Sequence, residues 1–164
     1  MCAGSCPALK IERSTDIMSD YYNSIVVGTD GSKSSLLAVE RAAKIAAAFD
    51  SKLIIGCAYY ESEEDASKTL RQDSVAILGD EKAQENLKQA VEHAREVGAN
   101  NVETAVRPGA PVKALMAIVN DNKADLLVVG NRGINSLTGR LLGSVPADVA
   151  RQSDCDVMIV HTVS

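Results

Sequence analysis

The sequence predicts an α/β domain built on a parallel sheet, and three observations carry that reading. Short apolar runs alternate with longer amphipathic stretches, which implies strand–helix–strand units with right-handed crossovers. Hydrophobic residues make up 46% of the 164 residues, yet aromatics only 3% with no Trp, so Ala, Val, Leu and Ile must supply the packing. That is the composition of a parallel sheet covered by helices on both faces. Finally, the apolar run ending at Val129 leads directly into a glycine-punctuated loop and then a helix start.

The elements follow in order. Residues 1–20 show no periodic pattern and lack the charged-then-apolar layout of a signal peptide, so they read as a mobile tail, with Met18 available as a start for translation. Residues 21–164 form the domain. Residues 24–29 (Ser-Ile-Val-Val-Gly-Thr) read as a short buried strand, ended by Asp30-Gly31-Ser32, where either Ser32 or Asp30 can cap the next helix. In that helix Leu36, Val39, Ala43, Ala46 and Phe49 recur at three- and four-residue steps. Residues 52–58 are the second strand. From Tyr59 to Gly79 the chain is acidic (Glu61, Glu63, Glu64, Asp65) and patternless, so an exposed loop is expected.

Residues 80–97 are helical by pattern (Ala83, Leu87, Ala90, Val91, Ala94), with Gly98 as the stop. Residues 101–106 alternate weakly and form the third strand. Pro111 opens a helix carrying Val112, Leu115, Met116 and Val119. Residues 125–129 are continuously apolar after Asp125 and form a central fourth strand, 144–152 a short helix, and 156–161 the last strand. Ligands of such sheets bind beyond the carboxyl ends of the strands, where connections change direction. Asp30 and Gly130 both stand at such ends.

The loop after the fourth strand reads Gly130-Asn-Arg-Gly133 and continues to Gly143-Ser144. Its glycines allow close backbone approach, and Gly143-Ser144 opens a helix whose unpaired N–H groups and dipole favour an anion. With Arg132, Ser136, Thr138 and Arg140 between, it reads as a phosphate cradle. It is neither the P-loop nor the dinucleotide fingerprint. The plainer readings remain open: Asp30 as a cap alone, Gly130 and Gly133 as turn glycines, and Arg140 paired on the surface. His93 reads as a solvated helix residue and His161 as an edge-strand residue.

Composition excludes several classes of function. The formal charge of −5 and pI near 5.0 argue against nucleic acid and anionic membrane as partners. No apolar run approaches the roughly 20 residues of a membrane span. Four scattered cysteines (Cys2, Cys6, Cys57, Cys155) and two histidines do not make a zinc site, and Cys57 and Cys155 read as small buried hydrophobes. A cytoplasmic location is expected. No Ser-His-Asp, Cys-His or paired-carboxylate set converges on the cradle, which favours a binder over an enzyme. The rival class is an ATP pyrophosphatase or adenylyl transferase, whose signatures Thr29-Asp-Gly-Ser-Lys-Ser34 matches only loosely. A flavin carrier is disfavoured by the shortage of aromatics.

Residues 25–32 (Ile-Val-Val-Gly-Thr-Asp-Gly-Ser), 124–130 (Ala-Asp-Leu-Leu-Val-Val-Gly) and the Gly-x2-Gly-x9-Gly-Ser spacing from Gly130 to Ser144 together resemble the universal stress protein family, over Tyr22 to His161. The resemblance implies a three-layer open parallel five-stranded sheet in the order 3-2-1-4-5, Rossmann-like and similar to adenine nucleotide alpha hydrolases. It also implies a regulatory adenine-nucleotide binder of stress physiology, with at most weak ATP hydrolysis. The ligand would be ATP, with Mg2+ accompanying the triphosphate, or alternatively cyclic AMP or AMP. Carried over, Thr29 and Asp30 would lie near ribose and phosphates, with Cys57 and Ala58 facing the adenine through their backbone and Val129 touching the base. Gly130 and Gly133 would let the chain approach the ribose and phosphates, Arg132 would favour a phosphate or simply face solvent, and Gly143, Ser144 and Val145 would hold the outer phosphates. Pro146 removes one donor N–H from that helix start. A homodimer joined through residues 157–161 is the implied assembly.

Overall fold

The computed structural model describes residues 22–69, 76–132 and 142–162. The expected N-terminal tail, and Gly133, Ser136, Thr138 and Arg140, lie outside those residues. Ten elements follow one another: β1 (Ser24–Gly28), α1 (Lys33–Phe49), β2 (Lys52–Tyr59), α2 (Glu63–Thr69), α3 (Asp80–Glu96), β3 (Val102–Pro108), α4 (Pro111–Asp121), β4 (Leu126–Gly130), α5 (Ser144–Gln152) and β5 (Asp156–Val160). The strands form one parallel sheet in the order β3-β2-β1-β4-β5. The chain therefore winds outward from β1 to β3, crosses under, and winds outward again through β4 to β5.

Strand alternation divides the core between two faces. Ile25, Val27, Leu53, Ile55 and Cys57 point to one side, where Val39, Ala42 and Ala43 of α1 and Ala83, Leu87, Ala90 and Ala94 of α3 cover them. Val26, Ile54, Leu127 and Val129 point to the other, against Leu115, Ile118 and Val119 of α4 and Val149 of α5. Two glycines set the spacing of that second layer. Gly28 and Gly56 are register partners, and a Cβ on them would lie 3.0 Å from Leu115 Cδ1 and 2.9 Å from Ile118 Cδ1 respectively. Their lack of a side chain lets α4 settle directly on β1 and β2.

Local chemistry explains the element ends. Ser32, not Asp30, caps α1, its hydroxyl accepting from Ser35 N at 3.1 Å. Pro111 occupies the first turn of α4. The Asp125 carboxylate accepts from the N–H groups of Asn23 (2.7 Å) and Ser24 (2.9 Å), which fastens the start of β1 beside β4.

Some expectations need correction. The acidic segment after Tyr59 is not a uniform loop, since α2 occupies part of it. Ser62 and Asp65 form a reciprocal cap there: Asp65 N donates to Ser62 Oγ at 3.2 Å and that hydroxyl donates to Asp65 Oδ2 at 2.8 Å. The Ser-x-x-Asp signal was present but obscured by the absence of an apolar stripe. β3 runs two residues beyond Val106, because Arg107 and Pro108 still pair with Ala58 and Tyr59. β5 stops at Val160, so His161 lies past the strand and not within it. Cys57 is fully buried as expected, whereas Cys155 is only half-buried, its Sγ 3.2 Å from Ser153 Oγ. His93 is half-buried between Glu40 of α1 (3.7 Å) and Glu96 (3.9 Å).

Candidate functional site

Register alone brings most of the expected residues to one line. Gly28 pairs with Gly56 and Val27 with Val128. Carried forward, the same registers place Thr29 level with Cys57 and Gly130. The bond from Thr29 N to Gly56 O, 2.9 Å, extends the ladder to this level. The β1–α1 turn, the end of β2 and the end of β4 thus open together where the winding reverses, the position at which such sheets take ligands.

The β1–α1 turn is tightly determined. Thr29 is buried, its Oγ1 3.0 Å from Ser35 Oγ and accepting from Gly31 N at 3.2 Å. Asp30 Oδ1 accepts from both the N–H (3.0 Å) and the hydroxyl (2.6 Å) of Ser32. This Asx turn orients the capping serine and keeps the carboxylate at the mouth of the crevice. Asn86 of α3, 6% exposed, donates from Nδ2 to Asp30 O at 3.3 Å and so ties the turn to the second helix of that layer.

Gly31 has φ +79°, and a Cβ there would sit 2.6 Å from Asn86 Oδ1. Gly31→Ala is therefore expected to combine a left-handed backbone penalty of about 1–2 kcal/mol with displacement of Asn86. A thermal melt should show a loss of several degrees, at about 2–4 °C per kcal/mol for a domain of this size. An unchanged Tm would mean that the turn relaxes freely.

Cys57 has its thiol in the core between β2 and the α1/α3 layer. Burial pushes the thiol up to about 12 from an ordinary 9.0, and the Asp30 carboxylate adds to the rise. The folded state thus holds the neutral thiol. The stability tied to it is fully present below the unfolded value and is lost as pH rises toward 12. Native protein at pH 9 is expected to resist iodoacetamide at Cys57 while urea-unfolded protein reacts. Mass mapping of the alkylated peptide checks this. Rapid native labelling at Cys57 would contradict the burial.

At the end of β4, Gly130 serves space, not backbone angle: a Cβ would meet Ser34 Oγ at 2.8 Å and Ser34 O at 3.2 Å. The first turn of α1 rests directly on it. Gly143 is the N-cap of α5, with φ −61° and no side-chain cap. This φ suits any residue, and the nearest atom to an added Cβ, Asn131 O, would be 3.4 Å away. Ser144 and Val145 form the half-buried first turn of α5, and Pro146 is buried behind them. Val129 and Val145 pack into the α4/α5 layer.

Sequence reasoning passed over Asn131, which is 5% exposed and joins three chain segments. Its carbonyl accepts from Gly143 N at 3.0 Å, and its N–H donates to Val160 O at 2.9 Å. Its Oδ1 accepts from the N–H (3.0 Å) and Oγ1 (2.6 Å) of Thr162, and its Nδ2 lies 3.2 Å from His161 Nδ1. A polar residue directly after an apolar strand was the available signal.

A cavity of about 640 Å3 opens on the α1/α3 side of the turn. Asp30 and Arg132 line it, together with Ser32, Lys33, Lys82 and Asn86. Cys57, Ala58, Val129, Gly130, Gly143, Ser144 and Val145 do not, so the expected residues divide between this cavity and the crevice above β1 and β4. Among the described residues, no group of three or more His, Cys, Asp or Glu could hold a metal ion, and no helix is long and apolar enough to cross a membrane.

These features define an open doubly wound α/β domain with a crevice at its topological switch point. The universal stress protein family model matches residues 21–161. The universal stress protein Rv1636 of Mycobacterium tuberculosis is 52% identical over 143 residues, covering 86% of this chain and 97% of that protein. A crystal structure of the Mycobacterium tuberculosis protein superposes with a TM-score of 0.56 at 48% identity, covering 87% and 97% of the two chains. A universal stress protein crystallised in complex with cAMP gives a TM-score of 0.67 at 47% identity, covering 87% of this chain and 99% of that one. The chain belongs to the universal stress protein family.

Proposed function

We propose that this protein binds an adenine nucleotide in the crevice above β1 and β4 and acts as a regulatory binder, not a catalyst of turnover. The carrying observation is the shared level of Thr29, Cys57 and Gly130 at the reversal of winding, with the uncapped start of α5 tied to the same place through Asn131 O. The N–H groups of the first turn of α5 suit phosphate oxygens, and Asp30 suits ribose hydroxyls. The groups brought together are backbone amides, hydroxyls and a carboxylate, which bind and orient.

ATP is the reading that the glycine spacing favours. Cyclic AMP is a second reading, favoured by the relative at 47% identity that was crystallised with it. Its single phosphate needs fewer donors, which suits a helix start where Pro146 supplies none. With a triphosphate, Mg2+ would be held mainly by phosphate oxygens. A second copy of the chain would pair along residues 157–161, that is along β5 and the residue after it.

Calorimetric titration with ATP and cyclic AMP tests the reading, alongside mass spectrometry of nucleotide released on denaturation. Gly143→Val should abolish binding with little change in Tm, because its Cβ meets only ordinary contacts in the protein while occupying phosphate space. Wild-type affinity in that folded variant would remove α5 from the site.

A further inference from the structure

We infer that Asn131 is a positioning residue for the phosphate end of the nucleotide site, acting through a clasp with Thr162 and Ser34; this rests on the reading above. The two ends of the segment between β4 and α5 meet at this one residue, since Asn131 O accepts from Gly143 N, the N-cap of α5. Where that carbonyl points therefore sets where the first turn of α5 begins. The side chain holds it together with the bond from Asn131 N to Val160 O. Thr162 N can only donate, so the amide oxygen of Asn131 must face it, and Nδ2 is left toward His161 Nδ1, which accepts.

The clasp reaches α1 as well. Thr162 Oγ1 lies 2.6 Å from Asn131 Oδ1 and 2.8 Å from Ser34 Oγ, which in turn lies 2.8 Å from Arg132 O. Each hydroxyl carries one proton and the two outer oxygens can only accept, so two protons are shared among three short contacts and one contact is without a proton in any arrangement of the cluster. It links the first turn of α1, the start of the β4–α5 connection and the residues after β5. Asn131 is nearly fully buried, so it acts on a ligand through Gly143 and not by contact. A buried polar residue whose every bond runs to a segment bordering the crevice is placed to hold those segments in one arrangement.

The test compares probes with and without a phosphate. Adenosine, cyclic AMP and ATP are titrated into the wild type, Asn131→Leu, Thr162→Val and Thr162→Ser. Asn131→Leu and Thr162→Val are expected to weaken cyclic AMP and ATP about tenfold, the worth of one oriented hydrogen bond, while adenosine affinity is unchanged. Thr162→Ser keeps the hydroxyl and should restore nucleotide affinity. If folded variants lose adenosine in equal measure, or bind all probes like the wild type, the clasp merely anchors the chain and the inference fails. Should Asn131→Leu not fold, the Thr162 pair decides by the same criterion. A wild type that binds none of the probes overturns the nucleotide reading itself, and the positioning role with it.

Discussion

Gly130→Val is expected to lower Tm by several degrees and to abolish nucleotide binding, the largest combined effect of any single substitution at the crevice. The reason is space. A Cβ would come within 2.8 Å of Ser34 Oγ and 3.2 Å of Ser34 O. The hydroxyl could rotate away, though it would then leave Arg132 O and Thr162 Oγ1. The carbonyl cannot, because it belongs to the backbone of the first turn of α1. That turn must lift off β4, carrying Ser32 and Asp30 with it. Overpacking of this kind costs about 1–3 kcal/mol, which at about 2–4 °C per kcal/mol is readily measured. Gly130→Ala should act in the same direction with a smaller amplitude. Gly143→Val provides the contrast, since its Cβ fits and its Tm should hold. Wild-type melting and titration of Gly130→Val would show that α1 and β4 are not in the close contact described.

The second large effect concerns the sheet edge. β5 is the outermost strand on its side, and Val157, Met158 and Ile159 are half-buried beneath the two helical layers. Its apolar side chains are therefore largely accounted for, and its outer backbone groups are what a second copy would pair. The bonds given for β5 show which residues those are. Asp156 N donates to Asp125 O, and Val160 O accepts from Asn131 N. Backbone groups alternate sides along a strand, so Asp156, Met158 and Val160 face β4 and Val157 and Ile159 face outward. Ile159→Pro should thus remove an outward donor while sparing the β4 ladder, giving a folded monomer. Met158→Pro removes an inward donor and should unfold the edge or aggregate. Sedimentation velocity with circular dichroism separates the two. An unaltered dimer in folded Ile159→Pro would place the interface elsewhere, and a monomeric wild type would dispose of the assembly altogether.

The amino-acid sequence by itself determined the order of the strands and of every described helix except α2, because each of these is written in a local period. Val39, Ala43 and Ala46 fall on one face of α1 whatever lies beneath them, and Ile25–Val27 and Leu126–Val128 are buried on both faces. The Ser32 cap, the first-turn Pro111 and the continuous apolar character of the central strands are equally local. So was the candidate site in outline, since Thr29, Asp30, Gly130 and Gly143 stand where strands end and helices begin. The tertiary structure alone decided what those residues touch. Gly28 and Gly56 look like strand weaknesses until α4 is seen against them, and Gly130 looks like a turn glycine until Ser34 arrives from nearly a hundred residues away. Asn131, Thr162 and Asn86 carry no periodic signature, because their partners come from other segments. Local patterns record which face a residue buries, whereas a hydrogen bond or a close approach between distant segments depends on sheet register, and register exists only once the strands have paired.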